Sequence, residues 1–174
     1  STSTLKFMAV DSAGNQSPVY SEKYIIWAIE TVDSAVTGKV GGSTSISLDS
    51  SGKKHIAFYD ALYKQLNYAY KDNSGWHSET VESLNKTGSY TSLALDSGSR
   101  PHISYYDDIS QDLKYSYRDN SGWHKFTVDS ENSVGRYSSL ALDSSNRPHI
   151  SYYDATNIKG KTKIIKEDLK YAYW

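Results

Sequence analysis

Apolar and polar residues alternate with period two along many short stretches of the chain. Leu113, Tyr115 and Tyr117 alternate with Lys114, Ser116 and Arg118, and Leu93 and Leu95 alternate with Ser92, Ala94 and Asp96. This is the pattern of a strand with one face against a core and the other in water. Helical spacing does not recur anywhere, and no segment is a run of strong helix formers. Between the strands lie compact turn sequences: Asp49-Ser50-Ser51-Gly52, Asp96-Ser97-Gly98-Ser99 and Asp143-Ser144-Ser145-Asn146. An aspartate can open such a turn by accepting from the backbone two residues on, and a Gly or Asn late in the turn is expected to take positive φ. Pro101 and Pro148 follow at strand starts, where a missing N–H costs little.

The pattern repeats. Leu48-Asp49-Ser50-Ser51 recurs 47 residues later at Leu95 and again 47 residues later at Leu142. His55-Ile56-Ala57-Phe58-Tyr59-Asp60 recurs at the same interval from His102 and from His149. Asn67-Tyr68-Ala69-Tyr70 matches Lys114-Tyr115-Ser116-Tyr117 and Lys170-Tyr171-Ala172-Tyr173, the last displaced by nine residues because Ile158 to Glu167 enlarges one loop. In the second copy the expected strands are Trp76–Val81, Thr91–Leu95, His102–Tyr106 and Leu113–Arg118. The linking turns are Asp72-Asn73-Ser74-Gly75 and Asp119-Asn120-Ser121-Gly122. Four-stranded units with a period of 40 to 50 residues point to propeller-type blades. The fold expected is all-β: three four-stranded antiparallel β-propeller-type blades, over 27–73, 74–120 and 121–174, plus an N-terminal β-hairpin over 1–26. A β-solenoid or linear sheet stack is the alternative.

Blades shelter one another, so three are too few for the usual ring of four to eight. The first strand type already appears at Trp27 to Val32, and the chain reaches Trp174 just after a strand of the fourth type. Open edges are therefore expected at Trp27, Ile29 and Thr31 and at Tyr171 and Tyr173. Two copies could then close a six-bladed ring, many could form a fibre, and Trp27–Val32 could complete the last blade of a partner by strand exchange. The N-terminal hairpin is read as one strand, the turn Asp11-Ser12-Ala13-Gly14-Asn15, and a second strand from Val19 to Ile26. Such a hairpin is marginal alone and is expected to pair on an open edge or to be part of a neighbouring domain.

Residues 27 to 174 resemble tandem repeats of prokaryotic cell-surface proteins, of the type Leu-Asp-Ser-Ser-Gly-x-Pro-His-Ile-Ser-Tyr-Tyr-Asp followed by Asp-Leu-Lys-Tyr-Ala-Tyr and Gly-Trp. That resemblance implies propeller-like ectodomains. The layout is also similar to lectin-type propellers with a Gly-Trp turn per blade. The Asp-Asn-Ser-Gly-Trp turns resemble the Asp-box turns of sialidase-like propellers, with different spacing and no catalytic residues carried over. The segment Thr4 to Tyr20 resembles the last hairpin of an Ig-like domain of secreted proteins.

Composition narrows the function. The formal net charge is −1 and the basic residues are scattered, so neither nucleic acid nor an anionic membrane is an expected partner. The longest apolar run, Tyr24 to Ile29, is too short to span a bilayer, and no signal peptide is read at the start. There is no cysteine, hence no disulfide framework or thiolate metal site. No metal or cofactor is expected. All five histidines occupy repeat-equivalent positions: His55, His102 and His149 in one set, His77 and His124 in the other. A catalytic histidine is normally unique in its surroundings, so a structural role is expected for both sets. The paired carboxylates likewise open turns, and Ser is too common for a triad to mean anything. Asn85-Lys86-Thr87 is a glycosylation sequon of a kind that arises often by chance.

Aromatic residues offer the best lead, with 16 Tyr and 4 Trp. Trp76 and Trp123, with His102, His149, Tyr106 and Tyr153, form the candidate ligand face, since sugars need stacking surfaces beside hydrogen-bonding tips. The competing role for the same aromatics is packing between blades. The functional expectation is a non-catalytic extracellular or cell-surface repeat module that assembles with copies of itself or an adjacent domain through open β edges. The alternative is a multivalent glycan-binding propeller, and a hydrolase fragment ranks last.

Overall fold

The computed structural model describes residues 2–25, 27–33, 40–83, 87–157 and 165–174. They form strands and turns, with no helix among them. The chain divides into two compact units, Ser1–Thr31 and Val32–Trp174.

In the first unit, β1 (Thr2–Phe7) pairs antiparallel with β2 (Tyr20–Ile25), from Thr2 opposite Ile25 to Phe7 opposite Tyr20. The connection is organised by Asp11, whose Oδ1 accepts from the N–H groups of Ala13 and Asn15. Gly14 supplies the positive φ that this turn requires.

The second unit holds the repeats. The first sheet runs β3 (Val40–Leu48), β4 (Lys54–Asp60), β5 (Gln65–Asp72), β6 (Gly75–Glu82). The second runs β7 (Thr87–Leu95), β8 (Pro101–Asp107), β9 (Asp112–Asp119), β10 (Gly122–Asp129). The third runs β11 (Val134–Leu142), β12 (Pro148–Asn157), β13 (Ile165–Tyr173). Every pairing is antiparallel between neighbours in sequence.

Three expectations are corrected. The Gly-Trp strand is the fourth strand of the sheet that precedes it, not the first of the one that follows. Asp72 pairs with Gly75 and Asp119 with Gly122, leaving Asn73-Ser74 and Asn120-Ser121 as two-residue hairpin turns. A connection that short forces β6 and β10 back along β5 and β9. The copies therefore run 40–82, 87–129 and 134–173 as sheets, and the third has three strands among the described residues. Trp27–Val32 is not a strand: residues 27–33 belong to no ladder among the described residues. The enlarged loop is also shorter than expected, because β12 and β13 continue their pairing out to Asn157 opposite Ile165.

The turn after each first strand follows the expected chemistry. Asp49, Asp96 and Asp143 each accept, through Oδ1, from the N–H two residues on and again four residues on. Positive φ falls on Gly52, Ser99 and Asn146, so in the second copy Ser99 takes it rather than Gly98.

Consecutive sheets pack through their faces. β3 lies against β7, and β7 against β11. Ser45 Oγ accepts from Leu93 N–H at 3.0 Å, and its equivalent Ser92 accepts from Leu140 N–H at 3.0 Å. Ala57, Leu66, Tyr68 and Val81 of the first sheet meet Leu93, Ile103 and Tyr105 of the second. Leu113 and Tyr115 of the second meet Val134, Leu140, Ile150 and Tyr152 of the third. At the start of β7 and β11, Gly88 and Gly135 press on Leu66 and Leu113. A Cβ there would stand 2.8 Å from Leu66 Cβ or 2.6 Å from Leu113 Cα, and both glycines have positive φ.

Candidate functional site

The histidines at the start of the second strands sit in a repeated chain of side chains. His55 Nδ1 is hydrogen-bonded to the Tyr68 hydroxyl, His102 to Tyr115 and His149 to Tyr171. Nε2 of each faces the turn aspartate, at 3.7 Å from Asp49, 3.7 Å from Asp96 and 3.6 Å from Asp143. The carboxylate favours the proton on Nε2, which leaves Nδ1 to accept from the tyrosine hydroxyl. Burial holds His55 and His102 below the usual imidazole range, against the pull of the aspartates. The second histidine set organises the hairpin turns: His77 stacks on Tyr70 and bonds Asp72, and His124 stacks on Tyr117 and lies 3.0 Å from Asp119. Each aspartate is held well below the ordinary carboxylate range, first by its serine neighbour, Ser74 or Ser121.

The six candidate ligand residues do not converge. Trp123 packs edge-on against Tyr68, with ring centres 5.6 Å apart, and seals the first junction. Trp76 is half-buried on β6, with Lys71 Nζ 5.9 Å from its ring centre. His102 is buried, and its equivalent His149 is half-buried. Tyr106 lies at the far end of β8 from His102, roughly 13 Å along the strand. It is buried, with its hydroxyl bonded to Ser133 Oγ and the Arg136 guanidinium over its ring. That places Tyr106 among the packing residues. Tyr153 is half-buried beside Tyr137. Of the edge residues, Trp27, Ile29, Tyr171 and Tyr173 are exposed and Thr31 is exposed with them. Asn85 of the sequon lies outside the described residues.

A different set does converge, and it does so twice. Between the first and second sheets, a cavity of about 220 Å³ is lined by Tyr68 and Tyr70, by Arg100 and Pro101, and by Arg118 and Asp119. Between the second and third, one of about 450 Å³ is lined by Tyr115 and Tyr117, by Arg147 and Pro148, and by Trp174 and Asn146. Tyr68 and Tyr115, Tyr70 and Tyr117, Arg100 and Arg147, Pro101 and Pro148, and Arg118 and Trp174 are equivalent positions of the repeat. One side of each site is thus the tyrosine pair of a third strand, and the other is the Arg-Pro turn of the next sheet. The arginines are steadied by their turn aspartates, Arg100 Nε to Asp96 at 2.6 Å and Arg147 Nε to Asp143 at 2.7 Å. Sequence reasoning counted these tyrosines but missed the arginines. The recurrence of Arg-Pro-His at 100–102 and 147–149 was the available signal.

A third feature was invisible in the sequence. Tyr90 and Tyr137 have positive φ at the bulges of β7 and β11, and their rings meet with centres 4.5 Å apart. Among the described residues no cluster of three or more His, Cys, Asp or Glu side chains could hold a metal ion. Among them, too, no helix is long and apolar enough to cross a membrane.

No protein family model matches the sequence, and no curated protein matches it. Among solved structures, a protein of unknown function from Dyadobacter fermentans is similar, with a TM-score of 0.54 and 17% identity over 97% of this chain and 50% of that one. This chain thus spans half the length of that protein. A fucose lectin from Kordia zhangzhouensis, solved with methyl-fucoside, aligns with a TM-score of 0.49 and 19% identity over 76% of this chain and 97% of that one. The likeness to the Dyadobacter chain is one of fold.

Proposed function

We propose that this protein is a non-catalytic, multivalent carbohydrate-binding module of propeller type, secreted or displayed at a cell surface, with one shallow site at each junction between consecutive sheets. The observation that carries this reading is the repetition of one lining at two junctions. A catalytic centre needs unique partners, whereas a binding site gains by duplication, because linked weak sites raise avidity. The chemistry suits a sugar ring. The edges of half-buried Tyr70 and Tyr117 offer an apolar wall, and an arginine offers five donors in a fixed fork to neighbouring hydroxyls. Asp119 and Asn146 add acceptors. The second junction substitutes Trp174 for Arg118 and so presents more aromatic surface.

A glycan array followed by calorimetry tests the reading. Binding should appear with roughly millimolar single-site affinity and should be lost in the Arg100→Ala, Arg147→Ala double variant while far-ultraviolet circular dichroism stays unchanged. An array blank across neutral, fucosylated and acidic glycans would sink it.

A further inference from the structure

In a row of repeats, positions that serve the fold recur, so departures from the repeat are informative where several fall together. Three do so at the second junction. Arg136 stands where the earlier copies have Ser89 and Gly42. Asp108 stands where the neighbouring copies have Ala61 and Ala155, and Tyr90 where the first copy has Ser43. They lie on β11, on the turn after β8 and on β7, at the opposite strand ends from the two cavities and beside Tyr106.

Arg136 is unlike the other arginines of the chain. Arg100, Arg118 and Arg147 each pair with a carboxylate, at 2.6, 2.9 and 2.6 Å. Among the described residues Arg136 has no such partner. Its one hydrogen bond among them is long, 3.4 Å from Nη2 to the Tyr106 hydroxyl, and its Nε is buried with no partner. The Tyr106 hydroxyl holds the guanidinium above its ordinary range, with Tyr90 and Asp108 adding smaller pulls against the cost of burial. Asp108 is itself engaged: Ser89 Oγ donates to its Oδ2 at 2.6 Å. A half-buried cation without a counter-ion is costly to keep. The backbone is strained at the same place. Tyr90 and Tyr137 hold φ at 53° and 55°, a region that bulky side chains avoid. Their rings meet edge to face, and Tyr90 also meets Tyr106 edge-on with ring centres 6.0 Å apart.

We propose that Arg136, with Tyr90, Tyr137 and Asp108, binds a sugar acid of the hexuronate class, at a site separate from the junction cavities. A guanidinium fork matches a carboxylate through two parallel N–H···O bonds, and the ligand's single negative charge balances the unpaired charge of Arg136. A doubly charged phosphate would set excess negative charge beside Asp108. Tyr90 and Tyr137 offer a wall to the sugar ring, and Asp108 accepts from a ring hydroxyl. Arg136, Asp108 and Tyr90 are half-buried, so a ligand can reach them. The choice of a sugar rests on the carbohydrate reading above, whereas the choice of an anion rests on Arg136 alone.

Calorimetric titration with galacturonate, against galactose as the neutral control, is the test. The wild type should bind galacturonate about tenfold more tightly than galactose, the scale of one hydrogen bond to a charged group. Arg136→Gln should abolish that preference with unchanged circular dichroism, while the Arg100→Ala, Arg147→Ala double variant should still bind galacturonate. In the wild type itself, amide chemical shifts on adding galacturonate should centre on Tyr90, Arg136 and Tyr137. No preference in the wild type, a preference that survives Arg136→Gln, or shifts centred on Arg100 and Arg147 would each overturn the proposal. Neutral glycans bound at the junctions without any such preference would remove this site alone. Galacturonate held through Arg136 by a chain that binds no neutral glycan would instead remove the junction sites and leave this one.

Discussion

The two junctions between sheets are built from the same residues and end differently. At the first, Trp123 arrives on β10 and closes the cluster, and Val81 is 2% exposed. At the second, the described residues include no fourth strand of the third sheet, and the equivalent Val128 is 36% exposed beside a groove that Phe126 and Trp174 also line. The inner strands make the same serine-to-backbone bond at both. The difference lies at the outer edge, and it shows that each sheet depends on its neighbour's fourth strand as well as on its neighbour's face.

The comparison can be broken most severely at the glycines. Gly135→Ala sets a Cβ against the Leu113 backbone at a positive φ, and backbone yields less readily than a side chain. It should cost about 3 kcal/mol from overpacking and backbone strain together. Gly88→Ala, which meets chiefly the Leu66 side chain, should cost less, and Gly41→Ala, which meets no neighbour within contact range beyond Thr44 at 3.7 Å, least of all in the monomer. Urea midpoints of the three variants rank them, and a Gly41→Ala monomer as damaged as Gly135→Ala would contradict the packing scheme.

The tryptophans come next. Trp123→Ala should cost about 2 kcal/mol, below the value for a fully buried ring because Trp123 is half-buried. Trp76→Ala should cost the monomer roughly 0.5 kcal/mol, the scale of an exposed cation–π contact with Lys71. Thermal melts at low concentration would separate them, and equal losses would mean that the plug in the first junction is not what stabilises it.

The smallest expected effect is a response to pH. Burial holds His55 and His102 below 6.5, so the folded chain binds fewer protons there than the unfolded chain does. Their contribution is complete above about pH 6.5 and is lost as pH falls below it. The turn aspartates act lower: Asp49 is drawn down to about 2, chiefly by Ser51, so its contribution persists above 3.8 and fades only below that. Urea midpoints between pH 7.5 and pH 5 should therefore decline, and the slope should flatten in a His55→Asn, His102→Asn double variant. An unchanged slope in that variant would remove the histidines from the account.

Much of this architecture was legible. Period-two alternation in Leu113 to Arg118 marked a strand, and the aspartate turns marked where strands end, because both depend only on residues within a few positions of one another. The phase of the repeat was harder. The same Asp-Asn-Ser-Gly turn could link two sheets or close a hairpin, and only the pairing of Asp72 with Gly75 distinguishes them. The candidate site fared worst. Tyr106 and Tyr153 carry the right chemistry for a ligand, but each lies four residues along its strand from the histidine, Tyr106 from His102 and Tyr153 from His149, and Tyr106 is buried. Arg100 and Arg147 drew no notice because an arginine after a turn looks like solvated charge until a neighbouring sheet is placed beside it.

The amino-acid sequence by itself determined the all-β class, the 47-residue period and the turn chemistry. These are local or periodic properties, written in spacing. Which strand closes which sheet and which tyrosines face a junction were decided by tertiary structure. Each depends on two segments that are distant along the chain meeting across a gap, and no local pattern encodes that meeting.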